Sequence, residues 1–390
     1  MKLVDVCAFY APKGGGVRTY VDRKLKAGAA LGHDVTVIAP GQEDRVEERG
    51  PNARIVWLKS QLFPLDFNYR WFSDIPALYA ALDAQKPDFV EASSPWRSAS
   101  VIAEWPGSTP RALIMHADPL SAYAYRWFDP VATRPTIDKA FERYWRHLRR
   151  LDTRYDMIVS ASASLSERLT GGGLTRVVTN PMGVDPGIFT PTLRDTALRR
   201  GMLELCELPE DATLLLGVGR FAPEKRWPML VDAVTAAGSR RPVGLVLAGQ
   251  GRERKTIERR IGQNPHIRVL APITQRHELA RVMASCDALV HGCEAETFCM
   301  VAAEARASGL PLIAPDQGGA SDQARASNGW IYESANTAAA TDAIAEYCVA
   351  RELGLDGPRA DLPPPRTMDD HFRELFASYE AVLTGQRQAA

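Results

Sequence analysis

The chain of 390 residues carries no charge imbalance: lysine plus arginine and aspartate plus glutamate each total 47. No net field therefore draws it to nucleic acid. No apolar run approaches the roughly 20 residues that span a bilayer. The N-terminal apolar segment breaks at Asp5, unlike the core of a secretion signal. The six cysteines (Cys7, Cys206, Cys286, Cys293, Cys299, Cys348) form no C-x-x-C pair. Without a secretion pattern they read as reduced thiols of a cytoplasmic protein. Cys286, Cys293 and Cys299 are not at zinc-site spacing, and His291 falls in an expected strand, so no zinc site is expected. The dinucleotide fingerprint is also missing. Ala11-Pro12-Lys13-Gly14-Gly15-Gly16 follows the first strand, but the next strand ends in Ala39-Pro40 rather than an acid. Gly217-Val218-Gly219 is likewise followed by a strand ending in Gly249-Gln250-Gly251, which leaves no carboxylate for a ribose. A nicotinamide dehydrogenase is set aside on these grounds.

What is present is an ordinary globular composition, 45% hydrophobic and 24% charged. The length predicts two domains. Apolar runs predict strands at 3–10, 33–40, 54–58, 88–92, 112–116, 157–160 and 176–179. A second set falls at 213–218, 243–248, 266–270, 287–291 and 310–314. The first strand, the helical pattern 17–31 and the second strand make a βαβ opening, so parallel sheets are expected. Two stretches are rich in aromatics, 63–72 and 137–151. In the second, Ile137, Phe141, Tyr144, Trp145, Leu148 and Leu151 recur at helical spacing among Arg143, Arg146, Arg149 and Arg150. Such a basic amphipathic helix suits either an anionic membrane surface or a core with a solvated basic side.

The stretch Asp287-Ala-Leu-Val-His-Gly-Cys-Glu-Ala-Glu-Thr-Phe-Cys-Met to Gly309 organises the second half. A short strand leads into a loop with Glu294 and Glu296, then a helix carrying Glu304. Seven residues separate Glu296 from Glu304, so their carboxylates lie at most roughly 12 Å apart. That is too far for an acid/base pair on one bond, since even inverting glycosidases use about 6.5–9.5 Å. It suits two hydroxyl-bearing parts of one extended ligand. The helix N-terminus between them favours an anion. Polyol, anion, polyol is the layout of a nucleotide sugar. A single exposed Glu is more often a solvated surface residue, but Glu304 is flanked by Ala302, Ala303, Ala305 and Ala307. Glu296 stands at a strand-to-helix junction, where open α/β sheets place ligands.

This stretch resembles the E-x7-E signature of glycosyltransferase family 4, retaining enzymes of GT-B fold such as bacterial lipid and polysaccharide hexosyltransferases. Glu296-Thr297-Phe298, Glu304-Ala305 and the following Ala307 to Ile313 carry the likeness. The family usually has Gly where this chain has Cys299, and a side chain there would narrow the space beside the donor. Other segments match in order: Gly15-Gly16 the phosphate-facing Gly-Gly loop, Pro181-x-Gly183-Val184-Asp185-x-x-x-Phe189 the interdomain stretch, and Gly219-Arg220-x-x-x-x-Lys225 the diphosphate-binding loop. Met182 stands where Asn is common.

The resemblance implies two Rossmann-like domains with parallel sheets facing a cleft. Residues 1–191 would form the acceptor domain and 192–365 the nucleotide-sugar domain, with a C-terminal helix at 366–390 returning to the first. It implies retaining transfer of a hexose from a UDP- or GDP-linked donor to a hydroxyl. His116, at a strand end, would meet the sugar, with Asp118 orienting it or facing the acceptor. Arg220 and Lys225 would stabilise the leaving diphosphate, and Glu296 would hold sugar hydroxyls. Gly15, Gly16, Gly219, Gly251, Ile273, Thr297, Phe298, Cys299, Met300 and Glu304 would bind the donor, with Glu304 on the ribose. No cofactor follows, and with no D-x-D motif no metal is implied. The aromatic and basic segments of the first half favour a lipid or lipid-linked acceptor, with peripheral contact at the inner face of the plasma membrane. A nucleotide-sugar epimerase of the same fold would need more carboxylates and histidines beside His116. A non-catalytic nucleotide-sugar sensor is opposed by the intact set Arg220, Lys225, Glu296 and Glu304.

Overall fold

The computed structural model describes residues 1–11, 16–63, 69–128, 131–356 and 364–385. They belong to two compact units. Unit 1 comprises Met1–Asp118, Val131–Pro181 and Asp369–Ala390; unit 2 comprises Pro119–Pro130 and Met182–Met368. The chain passes between units at Pro181/Met182, ahead of the position 191 expected from the sequence.

Unit 1 is built on one eight-stranded sheet. Its strands are β1 Lys2–Val6, β2 Asp34–Gly41, β3 Arg45–Gly50, β4 Ala53–Lys59, β7 Phe89–Ala92, β8 Arg111–Met115, β9 Met157–Ser160 and β10 Val177–Thr179. A separate ribbon pairs β5 Gln61–Leu62 with β6 Arg70–Trp71. The sheet order is β10-β9-β8-β7-β1-β2-β4-β3. Strands such as β2 read as continuous apolar runs because helices cover both faces of a parallel sheet. β3 is the exception. It runs antiparallel to β4 at the sheet edge, and most of its residues are exposed. Its sequence Arg-Val-Glu-Glu-Arg-Gly has no apolar alternation and gave no strand signal; charge is what protects an open edge.

The expected helix over 137–151 is two helices, Arg134–Ala140 and Glu142–Asp152, broken at Phe141. Ile137, Trp145, Leu148 and Leu151 are buried, while Arg143, Arg146 and Arg150 are exposed. The core-facing alternative is therefore the one realised. The last helix, Met368–Leu383, packs into unit 1 from Asp369 onward. Tyr379 stacks on Phe89 with centroids 4.3 Å apart, and Phe376 lies 4.7 Å from the His33 ring. Leu383, at the helix end, is exposed.

Unit 2 carries β11 Thr213–Val218, β12 Val243–Ala248, β13 Ile267–Leu270, β14 Ala288–Val290, β15 Leu312–Pro315 and β16 Trp330–Tyr332. All are parallel, in the order β13-β12-β11-β14-β15-β16. Their side chains alternate between two cores, as a pleated sheet requires. Leu215, Leu245, Ala288 and Ile313 meet the helices Trp227–Gly238 and Thr337–Glu352 on one face. Leu214, Leu216, Leu289 and Leu312 meet Thr196–Leu205, Arg276–Ser285 and Met300–Ala307 on the other. The result is a three-layer sandwich whose strand order reverses between β11 and β14. In open α/β sheets that reversal is where two loops diverge and a ligand can enter.

Candidate active site

The loop after β11 and the loop after β14 meet at this reversal. The first turns through the short helix Pro223–Lys225 and then Arg226, whose backbone is left-handed (φ 51°). The second runs from His291 to Cys299. Two ion pairs join them. Lys225 Nζ donates to Glu296 Oε1. Arg226 Nε donates to Glu294 Oε2 at 2.8 Å. The backbones touch where Gly292 lies under Lys225: a Cβ at Gly292 would stand 2.7 Å from the Lys225 carbonyl oxygen, so no larger residue fits. Behind them, Gly251 (φ 155°) presses on Phe221, where a Cβ would come within 2.4 Å of the carbonyl oxygen.

Charge at this spot is well defined. Burial opposes the Lys225 ammonium, but Glu296 beside it raises its pKa above the ordinary lysine value. Burial would raise the Glu296 carboxyl, yet Lys225 and His291 bring it below the ordinary value, so it stays ionised. His291 is pushed down to about 4 by burial and then by Lys225. A neutral imidazole, an ammonium and a carboxylate thus share one corner. Arg220 is mostly exposed and donates to Glu224 at 2.9 Å. A surface pair of this kind is weak, so the guanidinium is available to an incoming anion.

The helix Met300–Ala307 begins directly after this loop, with Cys299 as its N-cap. Cys299 has a left-handed backbone (φ 66°) and makes no side-chain cap hydrogen bond. That conformation favours glycine, which accounts for the glycine common in the resembling family. The thiol does not project outward from the loop. It is 2% exposed, packed in the core with Ala302, and its Sγ lies 3.6 Å from His291 Nε2. Phe298 is also buried, whereas Thr297, Met300 and Ile273 are partly exposed. The amide of Gly319 donates to the Glu296 carbonyl at 2.7 Å. The start of the helix Gly318–Arg325 thus fastens this corner.

Glu304, 5% exposed, accepts from Arg276 at 2.8 Å. Arg276 also reaches Asp185 at 3.0 Å and lies over the Phe189 ring, 4.9 Å from its centroid. Sequence reasoning did not single out Arg276, Arg226 or His291 as site residues. The available signals were an arginine opening a helix three residues after Ile273, a basic residue directly after Lys225, and a histidine at the end of an apolar run.

In unit 1, His116 follows β8 and is partly buried, its ring 4.8 Å from the Tyr20 ring. Burial, then Lys24 and His371, push it down to about 3, so it is neutral. Asp118 is held by Arg168 Nε at 2.5 Å. Gly16 opens the helix Gly16–Ala30 with free space where a Cβ would be. Gly15 lies outside the described residues.

Comparisons with known proteins bear on this arrangement. Residues 206–353 match the model for "Glycosyl transferases group 1", and residues 14–187 match that for "Glycosyltransferase Family 4". A GDP-mannose-dependent alpha-mannosyltransferase of Mycolicibacterium smegmatis is 30% identical over 98% of both chains. One from Mycobacterium tuberculosis is 31% identical, covering 83% of this chain and 81% of that protein. A GDP-mannose-dependent phosphatidylinositol dimannoside mannosyltransferase of M. tuberculosis is 29% identical, covering 80% and 79%. Among solved structures, sucrose-phosphate synthase from Thermosynechococcus elongatus superposes with a TM-score of 0.67 at 20% identity, covering 99% and 97%. WaaG, a glycosyltransferase of lipopolysaccharide biosynthesis, gives 0.62 at 16%, covering 99% and 100%. These two show the shared GT-B fold.

Proposed function

The chain belongs to glycosyltransferase family 4, and we propose that it transfers mannose with retention from GDP-mannose to a hydroxyl of a lipid-type acceptor. One observation carries the reading: Lys225 and Glu296 pair at the strand-order reversal of unit 2, beside a helix N-terminus, with Glu304 just over one turn along that helix. The donor identity is supported by the names of the mannosyltransferase relatives.

In this reading the diphosphate lies against Arg220, Lys225 and the first amides of the helix Met300–Ala307. As the bond from the anomeric carbon to the leaving phosphate oxygen breaks, these donors take up the charge that grows on that oxygen. Such preorganised electrostatics is usually the largest catalytic contribution. Glu296, kept ionised, accepts from sugar hydroxyls and fixes Lys225. Glu304, oriented by Arg276, accepts from the ribose. The new bond forms between the anomeric carbon and the acceptor oxygen. The acceptor's proton passes to the departing phosphate on the same face, which gives retention without a protein base. His116 of unit 1, being neutral, can both donate and accept a hydrogen bond. Neither cofactor nor metal enters this reaction. A lipid acceptor is supported by the phosphatidylinositol dimannoside relative. It is also supported by the exposed Tyr123, Trp127 and Phe128, with Tyr123 and Trp127 centroids 5.8 Å apart. The proposal places peripheral membrane contact there, at the inner membrane face. Sedimentation with anionic phospholipid vesicles tests this, and Trp127→Ser should reduce it; equal binding by the variant removes these aromatics from the contact.

The donor is tested by thermal unfolding with GDP, UDP, ADP and their sugars, repeated on Glu304→Ala. A ligand at a hundredfold excess over its Kd stabilises by about 2.7 kcal/mol. A rise with GDP-mannose that shrinks in the variant is expected. No rise with any nucleotide would contradict the reading.

A further inference from the structure

The residue that sets this chain apart from its family's usual glycine, Cys299, completes a group of three potential metal ligands. Cys299 Sγ lies 3.6 Å from His291 Nε2, and His291 Nε2 lies 3.7 Å from Glu296 Oε1. All three ligand atoms fall within 4.8 Å of one another. A zinc ion with bonds of about 2.3 Å to sulfur and 2.0–2.2 Å to nitrogen and oxygen has ligand-to-ligand edges of about 3.4–3.6 Å. Two edges are therefore already near their bound lengths, and the third, from Cys299 to Glu296, is no more than 4.8 Å. The ligand types, thiolate, imidazole and carboxylate, are those zinc takes when a fourth position stays open to water. His291 and Cys299 are each 2% exposed, so two of the ligands are held rigidly by packing. The carboxylate oxygen offered to the ion is the one that now accepts from Lys225.

We propose that His291, Glu296 and Cys299 form a binding site for Zn²⁺, or for a similar thiophilic divalent ion, whose occupation takes Glu296 from Lys225 and blocks transfer. The ion is an inhibitor here, not a participant in the reaction. Only the inhibitory half rests on the glycosyltransferase reading; the metal site stands or falls by itself.

The test uses the purified full chain after chelator treatment. Co²⁺ is titrated in and the thiolate-to-cobalt absorption in the near ultraviolet is recorded; Zn²⁺ is then added as competitor. Transfer from GDP-mannose is measured against Zn²⁺, each variant relative to its own metal-free rate. The wild type and Cys293→Ser should show the band and Cys299→Ser should lack it. Removing a mere supporting group costs about 10- to 100-fold in metal affinity. Loss of a ligand should therefore raise the half-inhibiting Zn²⁺ concentration by more than about tenfold. Cys299→Gly, suited to the left-handed backbone there, replaces the serine variant if that one does not fold. No band in the wild type, or a band that survives in the Cys299 variants, overturns the site. A band without inhibition of an active enzyme overturns the exchange at Glu296. If no nucleotide sugar is turned over at all, the transferase reading fails while the cobalt band still decides the site.

Discussion

At the strand-order reversal of unit 1, between β1 and β7, Lys24 reaches Asp5 at 2.5 Å and also contacts Glu91, with none of these side chains exposed. At the reversal of unit 2, between β11 and β14, Lys225 reaches Glu296 with the two side chains 14% and 25% exposed. Topology and chemistry are alike; the surroundings differ. In unit 1 Ser93 donates to Asp5 at 2.9 Å, and Tyr379 of the last helix donates to Glu91 at 2.7 Å. Every charged group there is spoken for inside the unit, and the last helix is pinned by it. In unit 2 the pair keeps an outer side where further hydrogen bonds can form. A lysine–carboxylate contact is therefore not a functional sign in itself. Sealed on all sides it fixes structure, and left part-open beside a helix N-terminus it can receive a ligand.

The contrast can be broken from the sealed side first. Lys24→Met leaves Asp5 and Glu91 without their cation in a buried setting. Stability should fall by about 3–5 kcal/mol in urea unfolding, while the folded fraction keeps its turnover. Turnover lost with stability intact would mean that the unit 1 cluster serves catalysis. A smaller effect is expected from Tyr379→Phe, which removes one hydrogen bond to the buried Glu91 carboxylate. About 1.5–3 kcal/mol should go, with proteolysis of the last helix quickened. An unchanged unfolding midpoint would show that the hydroxyl does not pin that helix.

The strands were legible because burial on both faces writes itself as apolar runs: β11, β12 and β15 follow theirs closely. Edge strand β3 was not, since its charged sequence serves its exposure. The break at Phe141 was hidden because helical spacing continues across it. In the candidate site, the segments holding Lys225, Glu296 and Glu304 stood out by residue type and spacing. Their partners did not. Arg226 meets Glu294 across 68 residues, and Arg276 meets Glu304 across 28. Such pairs depend on which loops the sheet order brings together, and local periodicity carries no trace of that. Cys299 was visible as a departure from glycine, but only its left-handed backbone and its contact with His291 show where the thiol goes.

The most direct test of the open pair is Lys225→Met, with turnover and unfolding measured on the same preparation. Loss of a preorganised donor to developing charge should cut turnover of GDP-mannose by about 10²–10³-fold, with an unfolding midpoint close to the wild type. Full turnover in the variant, or a collapse of stability like that of Lys24→Met, would contradict the assignment of this corner to catalysis.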